Sequence, residues 1–487
     1  MRKISPIIVL LVVALFTFSC RKDSIDTDSS VTLNFSTDTV LFDTVFATFG
    51  STTKRLKIYN PTNKTVNISS ISVGNGANSQ FRINVDGISG NSHSNILIDG
   101  KDSLFIFAEV TIDPNNLSNL YIVTDKIKFI TNGNSQSVDL VAWGQDAHYY
   151  VANKTVGGIP VVYLDRDNSD LPLDSTWIND KPYVIYGGYL TLDGNDKLTI
   201  GPGVQVHLHN SSGIWVYEGG NIRVNGVKDD EVVFQGTRLE YPWQDRPGQW
   251  DRIWINEGTV DNVFNYAIIK NGFIGIQAET NPFNAPALFD ASTANTLRLN
   301  NCEIHNNSAV GILATNYKIT DTNSVITNSG QYNLLLKGDG DYRFNHTTIA
   351  NYWAGTERKT PAVFLQNAYT HSSGVTVVSD LTAANFYNCI IDGDKDIEFT
   401  PETVSGGTIN FFVDHCILKT TNSVSGAKYN SITKNPSNLF IDNILHDYHL
   451  TSGSSARNKG ALIGVLKDKD GNDRDIVSNP DLGAYEY

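Results

Sequence analysis

The stretch DGDKDIE places Asp392, Asp394, Asp396 and Glu398 at alternating positions. On a β-strand that spacing turns the side chains to one face. A row of carboxylates on one face offers the oxygen ligands that a hard cation such as Ca²⁺ takes. Arg343, Arg358 and Lys359 are cationic residues that precede this run in the chain. A second acidic run, DKDGND, sets Asp468, Asp470 and Asn472 in a D-x-D-x-N pattern, but the later bidentate Glu of an EF-hand is missing. Both runs have a structural reading as well, because aspartates in turns accept hydrogen bonds from nearby backbone amides. The metal candidates are therefore Asp392, Asp394 and Asp396. Asp229, Asp230 and Glu231 are consecutive and read as a turn rather than as paired glycosidase carboxylates. His207 and His209 alternate without a third ligand, and no G-x-S-x-G nucleophile motif occurs. With no Rossmann or P-loop glycine fingerprint, no organic cofactor is expected.

Aromatic residues suggest different chemistry. The stretch LEYPWQDRPGQWDRIW holds Tyr241, Trp243, Trp250 and Trp254, and NYWAGTERK adds Tyr352 and Trp353. Flat rings stack on the C–H faces of sugars while neighbouring Asp, Arg and Gln bond the hydroxyls. Trp250 and Trp254 are expected to pack on the scaffold, which leaves Tyr241, Trp243 and Trp353 as the ligand-binding candidates. The long segment between Asn351 and Ile391 is expected to form a loop over the same groove.

These residues must be held by strands. Short Val/Ile/Thr/Tyr/Phe runs separated by Asn, Gly, Asp and Ser recur throughout the 487 residues, which predicts a nearly all-β chain. A net charge of −14 argues against nucleic acid as a partner. The segments YAIIKNG, NCEIHNN, NSVITNS, HTTIANY, NCIIDGD and HCILKTT align on Ile269, Ile304, Ile326, Ile349, Ile391 and Leu418, with a recurring interval in the low twenties. That period is the mark of a stacked repeat. It predicts Asn271, Asn306, Asn328 and Asn351 stacked as an amide ladder, with Cys302, Cys389 and Cys416 as small buried apolar residues.

Three stretches resemble the right-handed parallel β-helix, or pectate-lyase-like, proteins, among them large bacterial surface lipoproteins. They are LTIGPGVQVHLHNSSGIWVYEGGNIRVNGVKDDEVVFQG, RPGQWDRIWINEGTVDNVFNYAIIKNGFIGIQA and the closing DKDGNDRDIVSNPDLGAYEY. Asp251-Arg252 stands where that family usually has Gly-Gly after the tryptophan. In lyases on this scaffold a carboxylate-bound Ca²⁺ neutralises a uronate beside an Arg or Lys base, so the resemblance implies that role for the Asp392–Asp396 row. The same scaffold also carries hydrolases, binding proteins and adhesins. Residues 31 to about 148 resemble an immunoglobulin-like β-sandwich with about seven alternating strands.

At the N-terminus, Arg2 and Lys3 precede an apolar run from Ile7 to Phe18 that ends at FTFSC. This resembles a lipoprotein signal peptide with Cys20 lipidated, although Thr17 and Phe18 make a loose lipobox. The organisation expected is a signal peptide (1–20), a tether (21–30), an immunoglobulin-like β-sandwich (31–148), a right-handed parallel β-helix (149–430) and a C-terminal cap (431–487). The chain is expected at the outer membrane, lipid-anchored and exposed at the cell surface. Its expected function is non-enzymatic binding of an extracellular polysaccharide or other surface ligand. A Ca²⁺-assisted polysaccharide lyase or hydrolase, and a structural spacer or adhesin, are the alternatives.

Overall fold

The computed structural model describes residues 24–114, 120–165, 172–217, 219–256, 261–280, 282–283 and 296–487. The expected leader, the expected lipidation residue Cys20 and the start of the expected tether lie outside the described residues. The chain divides between Asp146 and Ala147 into two compact units, both built almost wholly of strands.

The first unit has two sheets around one core. The larger joins Thr65–Val73, Tyr121–Thr131, Asn134–Gln145 and Thr39–Phe46, and the smaller joins Lys54–Tyr59, Ser103–Val110 and Phe81–Val85. Strict alternation drives this arrangement, since Ile106, Ala108 and Val110 are buried while Phe105, Phe107 and Glu109 between them face outward. Phe42 and Phe129 from one sheet and Leu56, Phe81 and Ile83 from the other share the core. The pairing is mixed: Asn134–Gln145 runs antiparallel to Tyr121–Thr131 and parallel to Thr39–Phe46.

In the second unit long parallel sheets dominate, an arrangement compatible with a β-helix. An eleven-stranded sheet runs from His148–Val151 to Thr433–Lys434, with every neighbouring pair parallel. The aliphatic column expected from the sequence is in register: Ile269 pairs with Ile304, then Ile326, Ile349, Ile391 and Leu418. All six are fully buried. An eighteen-stranded sheet contributes a second inward column, Leu190, Ile214, Ile253, Ile276, Ile312, Leu334, Val363 and Phe399. Cys302, Cys389 and Cys416 are buried free thiols at one register position, as expected.

The asparagine ladder forms at one step, where Asn306 Nδ2 donates to Asn271 Oδ1 at 2.6 Å. Asn328 instead donates to Tyr448, and Asn351 to the Ser329 carbonyl. A second column, not anticipated, lies three residues before the aliphatic one. Tyr266, Asn301, Asn323, His346, Asn388 and His415 all have φ between 44° and 59°. Each turns the chain into the eleven-stranded sheet through one left-handed residue, a conformation that Asn and His adopt more readily than most.

The C-terminal segment packs on the outer side of that sheet, where Tyr448, Ala484 and Tyr485 meet Val325 and Ala350. Left-handed asparagines clip it in place. Asn388 exchanges two 2.8 Å hydrogen bonds with the Ala461 backbone, and Asn323 accepts from the fully buried Arg474 at 2.8 Å. Asp468 accepts from the Asn472 and Glu486 amides, and Asp470 pairs with His449 at 2.8 Å, so the D-x-D-x-N run serves as a fastening turn.

If the aligned aliphatics form the core, Ile326→Ala should cost about 2–5 kcal/mol. Urea unfolding followed by tryptophan fluorescence measures this, and a loss under about 1 kcal/mol would remove the column from the core.

Candidate functional site

The acidic row does not present one face. Asp392, buried in the strand Ile390–Gly393, accepts from the Tyr352 hydroxyl at 2.5 Å. Burial raises its pKa against that hydrogen bond. Beyond Gly393 the chain bends. Asp394 turns to Arg358, Asp396 is exposed, and Glu398 is buried against Arg358. Arg358 is the hub: its fully buried guanidinium meets both carboxylates and donates to the Thr360 and Asn351 carbonyls at 2.6 and 2.9 Å. Glu398 also accepts from the Ala362 and Lys395 amides at 2.7 and 2.8 Å. This cluster pins the 352–362 loop. Among the described residues, no group of three or more His, Cys, Asp or Glu side chains converges as a metal site.

Nor do the aromatic candidates form one platform. Tyr241 is 84% exposed in the loop that follows strand Val232–Gly236. Trp243, in the same loop, is half-buried between Arg238 and Arg246, whose guanidinium carbons lie 3.6 and 4.6 Å from its ring. Asn271 and Asn306 hold this loop through the Gln244 and Asp245 carbonyls, at 2.7 and 2.6 Å. Trp353 lies further along the chain, half-buried, with its indole N–H donated to Thr356. His207 and His209 bond separately to the Gly236 carbonyl and the Thr237 hydroxyl. The segment after Asn351 is not a bare loop, because it contains strands Val363–Gln366 and Leu381–Tyr387 and a hairpin of Ala368–Thr370 with Thr376–Val378.

Parallel register instead assembles a row on the outer face of the long sheet. Trp215, Trp254, Gln277, Leu313, Leu335 and Phe364 are successive partners. At the usual strand spacing the row is roughly 24 Å long. Trp215 and Trp254 stack at 5.1 Å and 16°, and Phe283 lies edge-on to both. Trp215 is sealed beneath its neighbours, whereas Trp254, Leu313, Leu335 and Phe364 are half-buried. Ser372, at the hairpin tip, donates to the Pro282 carbonyl at 2.6 Å and so ties the hairpin to the segment bearing Phe283.

Beside the row runs a polar one: Glu279 pairs in register with Thr315, then Lys337, Gln366 and Glu402. Glu279 accepts from the Trp254 indole and the Gln277 amide, both at 2.7 Å. Arg252 donates to Gln277 and grips Asp251, which also accepts from Tyr189. Burial raises the Glu279 pKa against its hydrogen bonds, and burial lowers that of Lys337 against the pull of Glu279. A carboxyl and an amine moved toward each other's range on one face form the most chemically distinctive pair on this surface. Sequence reasoning missed it because Glu279 and Lys337 are 58 positions apart (337 − 279) and only register aligns them.

No family model matches the chain, and no curated protein matches it. Among solved structures, the ASH/PapD-like domain 7 of human CEP192 is similar at 9% identity and TM-score 0.17, covering 26% of this chain and 92% of that one. A family 123 glycoside hydrolase from Clostridium perfringens is similar at 8% identity and TM-score 0.17, with 25% and 30% covered. A protein of unknown function from Porphyromonas gingivalis W83 stands at 13% identity and TM-score 0.17, with 30% and 59% covered. Likeness at this level defines no class for the chain.

Two expectations follow. Removing one partner of a buried ion pair strands the other, so Glu398→Ala should lower stability by about 3–5 kcal/mol in urea unfolding; an unchanged midpoint would contradict the pinning role. Burial pushes the His207 pKa down to about 4. The unfolded imidazole titrates near 6.5, so as pH falls the unfolded chain takes the proton first, and stability is lost from about pH 6.5 toward 4. Between pH 7.5 and 5 this group's share of the loss is about 2 kcal/mol, which His207→Gln should abolish; an equal pH slope in the variant would refute it.

Proposed function

We propose that the chain is a surface-anchored lipoprotein in which an immunoglobulin-like β-sandwich precedes a right-handed parallel β-helix with a C-terminal cap. The β-helix binds an extracellular polysaccharide along its outer face without cleaving it. The lipid anchor at Cys20 and the outer-membrane, surface-exposed location rest on the leader sequence. The observation that carries the glycan reading is the row Trp254, Gln277, Leu313, Leu335 and Phe364, apolar but for Gln277 and flanked by Glu279, Thr315, Lys337 and Gln366. An extended apolar strip beside hydrogen-bonding groups complements a sugar chain, whose rings have apolar faces and hydroxylated edges. The site favoured is therefore this row rather than Tyr241, Trp243 and Trp353.

Glu279 and Lys337 favour one alternative, acid–base cleavage of the bound glycan as in a polysaccharide lyase or hydrolase. Affinity electrophoresis of the full chain through neutral and uronic polysaccharides, with and without Ca²⁺, tests the two together with a reducing-end assay and the absorbance of unsaturated products. Trp254→Ala and Phe364→Ala should each weaken retention by about tenfold, or about 1.4 kcal/mol, with no new chain ends. Wild-type retention in both variants would remove the row as the site. Chain ends that vanish in Glu279→Gln would replace binding with catalysis.

A further inference from the structure

The first unit carries a surface of another kind on the outer side of its smaller sheet. Lys54–Tyr59 turns Arg55, Lys57 and Tyr59 outward over the buried Leu56 and Ile58. Antiparallel register sets Arg55 opposite Phe107 and Lys57 opposite Phe105, and on the far side Asn84 is opposite Phe107. Phe105 and Phe107 are 36% and 41% exposed, with ring centroids 6.5 Å apart and planes within 28°. They form a two-ring platform that Tyr59, 37% exposed, extends.

Two cations lie against these rings. The Arg55 guanidinium is 5.1 Å from the Phe105 centroid, and the Lys57 ammonium is 5.2 Å from Phe105 and 5.0 Å from Tyr59. Among the described residues neither cation has a carboxylate within ion-pair distance. A cleft of about 560 Å³ opens beside Phe107, lined among others by Thr53, Arg82, Asn84 and Glu109. There the Asn84 amide donates to Ser89 Oγ at 3.1 Å, while its buried Oδ1 has no partner. The face thus combines flat apolar rings and unneutralised cations on a chain of net charge −14.

We propose that this face binds an acidic polysaccharide. The sugar's C–H face lies on Phe105 and Phe107, and its carboxylates meet Lys57 and Arg55. A neutral glycan would leave the cations unused, and an acidic peptide would have no need of two near-parallel rings. The surface lies in the other unit from the Trp254 row, and it stands or falls independently of that row.

Alginate oligomers serve as the probe and dextran as the neutral control, both with EDTA present, in titrations of the full chain and its variants by calorimetry. Alginate should bind with an affinity that falls as salt rises, and dextran more weakly. Lys57→Gln, Arg55→Gln and Phe105→Ala should each weaken alginate binding by about tenfold, whereas Trp254→Ala should retain it. The substituted side chains point outward, and circular dichroism checks that each variant is folded. Any of four results would overturn the proposal: no alginate binding at low salt, equal affinity in the three variants, loss in Trp254→Ala alone, or phosphatidylglycerol vesicles bound through these residues while alginate is not.

Discussion

Register between successive parallel strands is the constraint on which the second unit depends. A strand's backbone groups pair with the strands before and after it, so a residue's neighbours on its face are set by its position in the turn. A slip of one residue would send the Ile269–Leu418 column out of the core and bring the polar flank in. The left-handed turn at Tyr266, Asn301, Asn323, His346, Asn388 and His415 sets that register anew at each pass, since a single residue with positive φ leaves little freedom in how the next strand begins. Because these turns lie at one edge of the sheet, their side chains also form a row, and the C-terminal segment uses that row for attachment. One backbone requirement therefore sets both the stacking and the docking of the cap.

Buried charge is concentrated where the chain leaves this regular path. Arg358 with Glu398 and Asp394, and Arg474 with Glu486 and Asn323, lie beside loops or the C-terminal segment. A guanidinium in such a place is tolerable only when several acceptors surround it, and both sites provide them. Asp321 lies inside a column, between Leu299 and Phe344, where burial pushes its pKa up to about 7. Its hydrogen bond from Thr347 fastens the corner before Asn323. Outward positions escape such demands. The outer face of the long sheet and the outer face of the first unit's smaller sheet are where partly exposed aromatic and charged residues accumulate.

Much of the repeat was legible in the sequence. Aligning six short segments on one aliphatic residue gave the register of the eleven-stranded sheet, because a buried position stacked on itself tolerates little but Ile, Leu or a similar side chain. The same alignment holds the left-handed column, visible as Asn or His at the head of most segments, five residues before the asparagines expected to stack. Candidate sites were less legible. DGDKDIE alternates as a strand would, yet the strand ends at Gly393 and the later carboxylates follow a bend toward Arg358. Trp243, expected to be available, is half-buried, with the guanidinium groups of Arg238 and Arg246 over its ring.

What the sequence determined by itself was the class of structure: nearly all strand, parallel in its longer part, with a hydrophobic column of known members. These follow from local alternation and from period, which any single stretch or its repeat displays. What only the tertiary structure decided was which outward residues become neighbours. Trp215 meets Trp254, and Glu279 comes to share a face with Lys337, because parallel pairing aligns strands whatever loop lies between them. The length of each loop is free to vary, so spacing along the chain carries no measure of that proximity, and only the folded register supplies it.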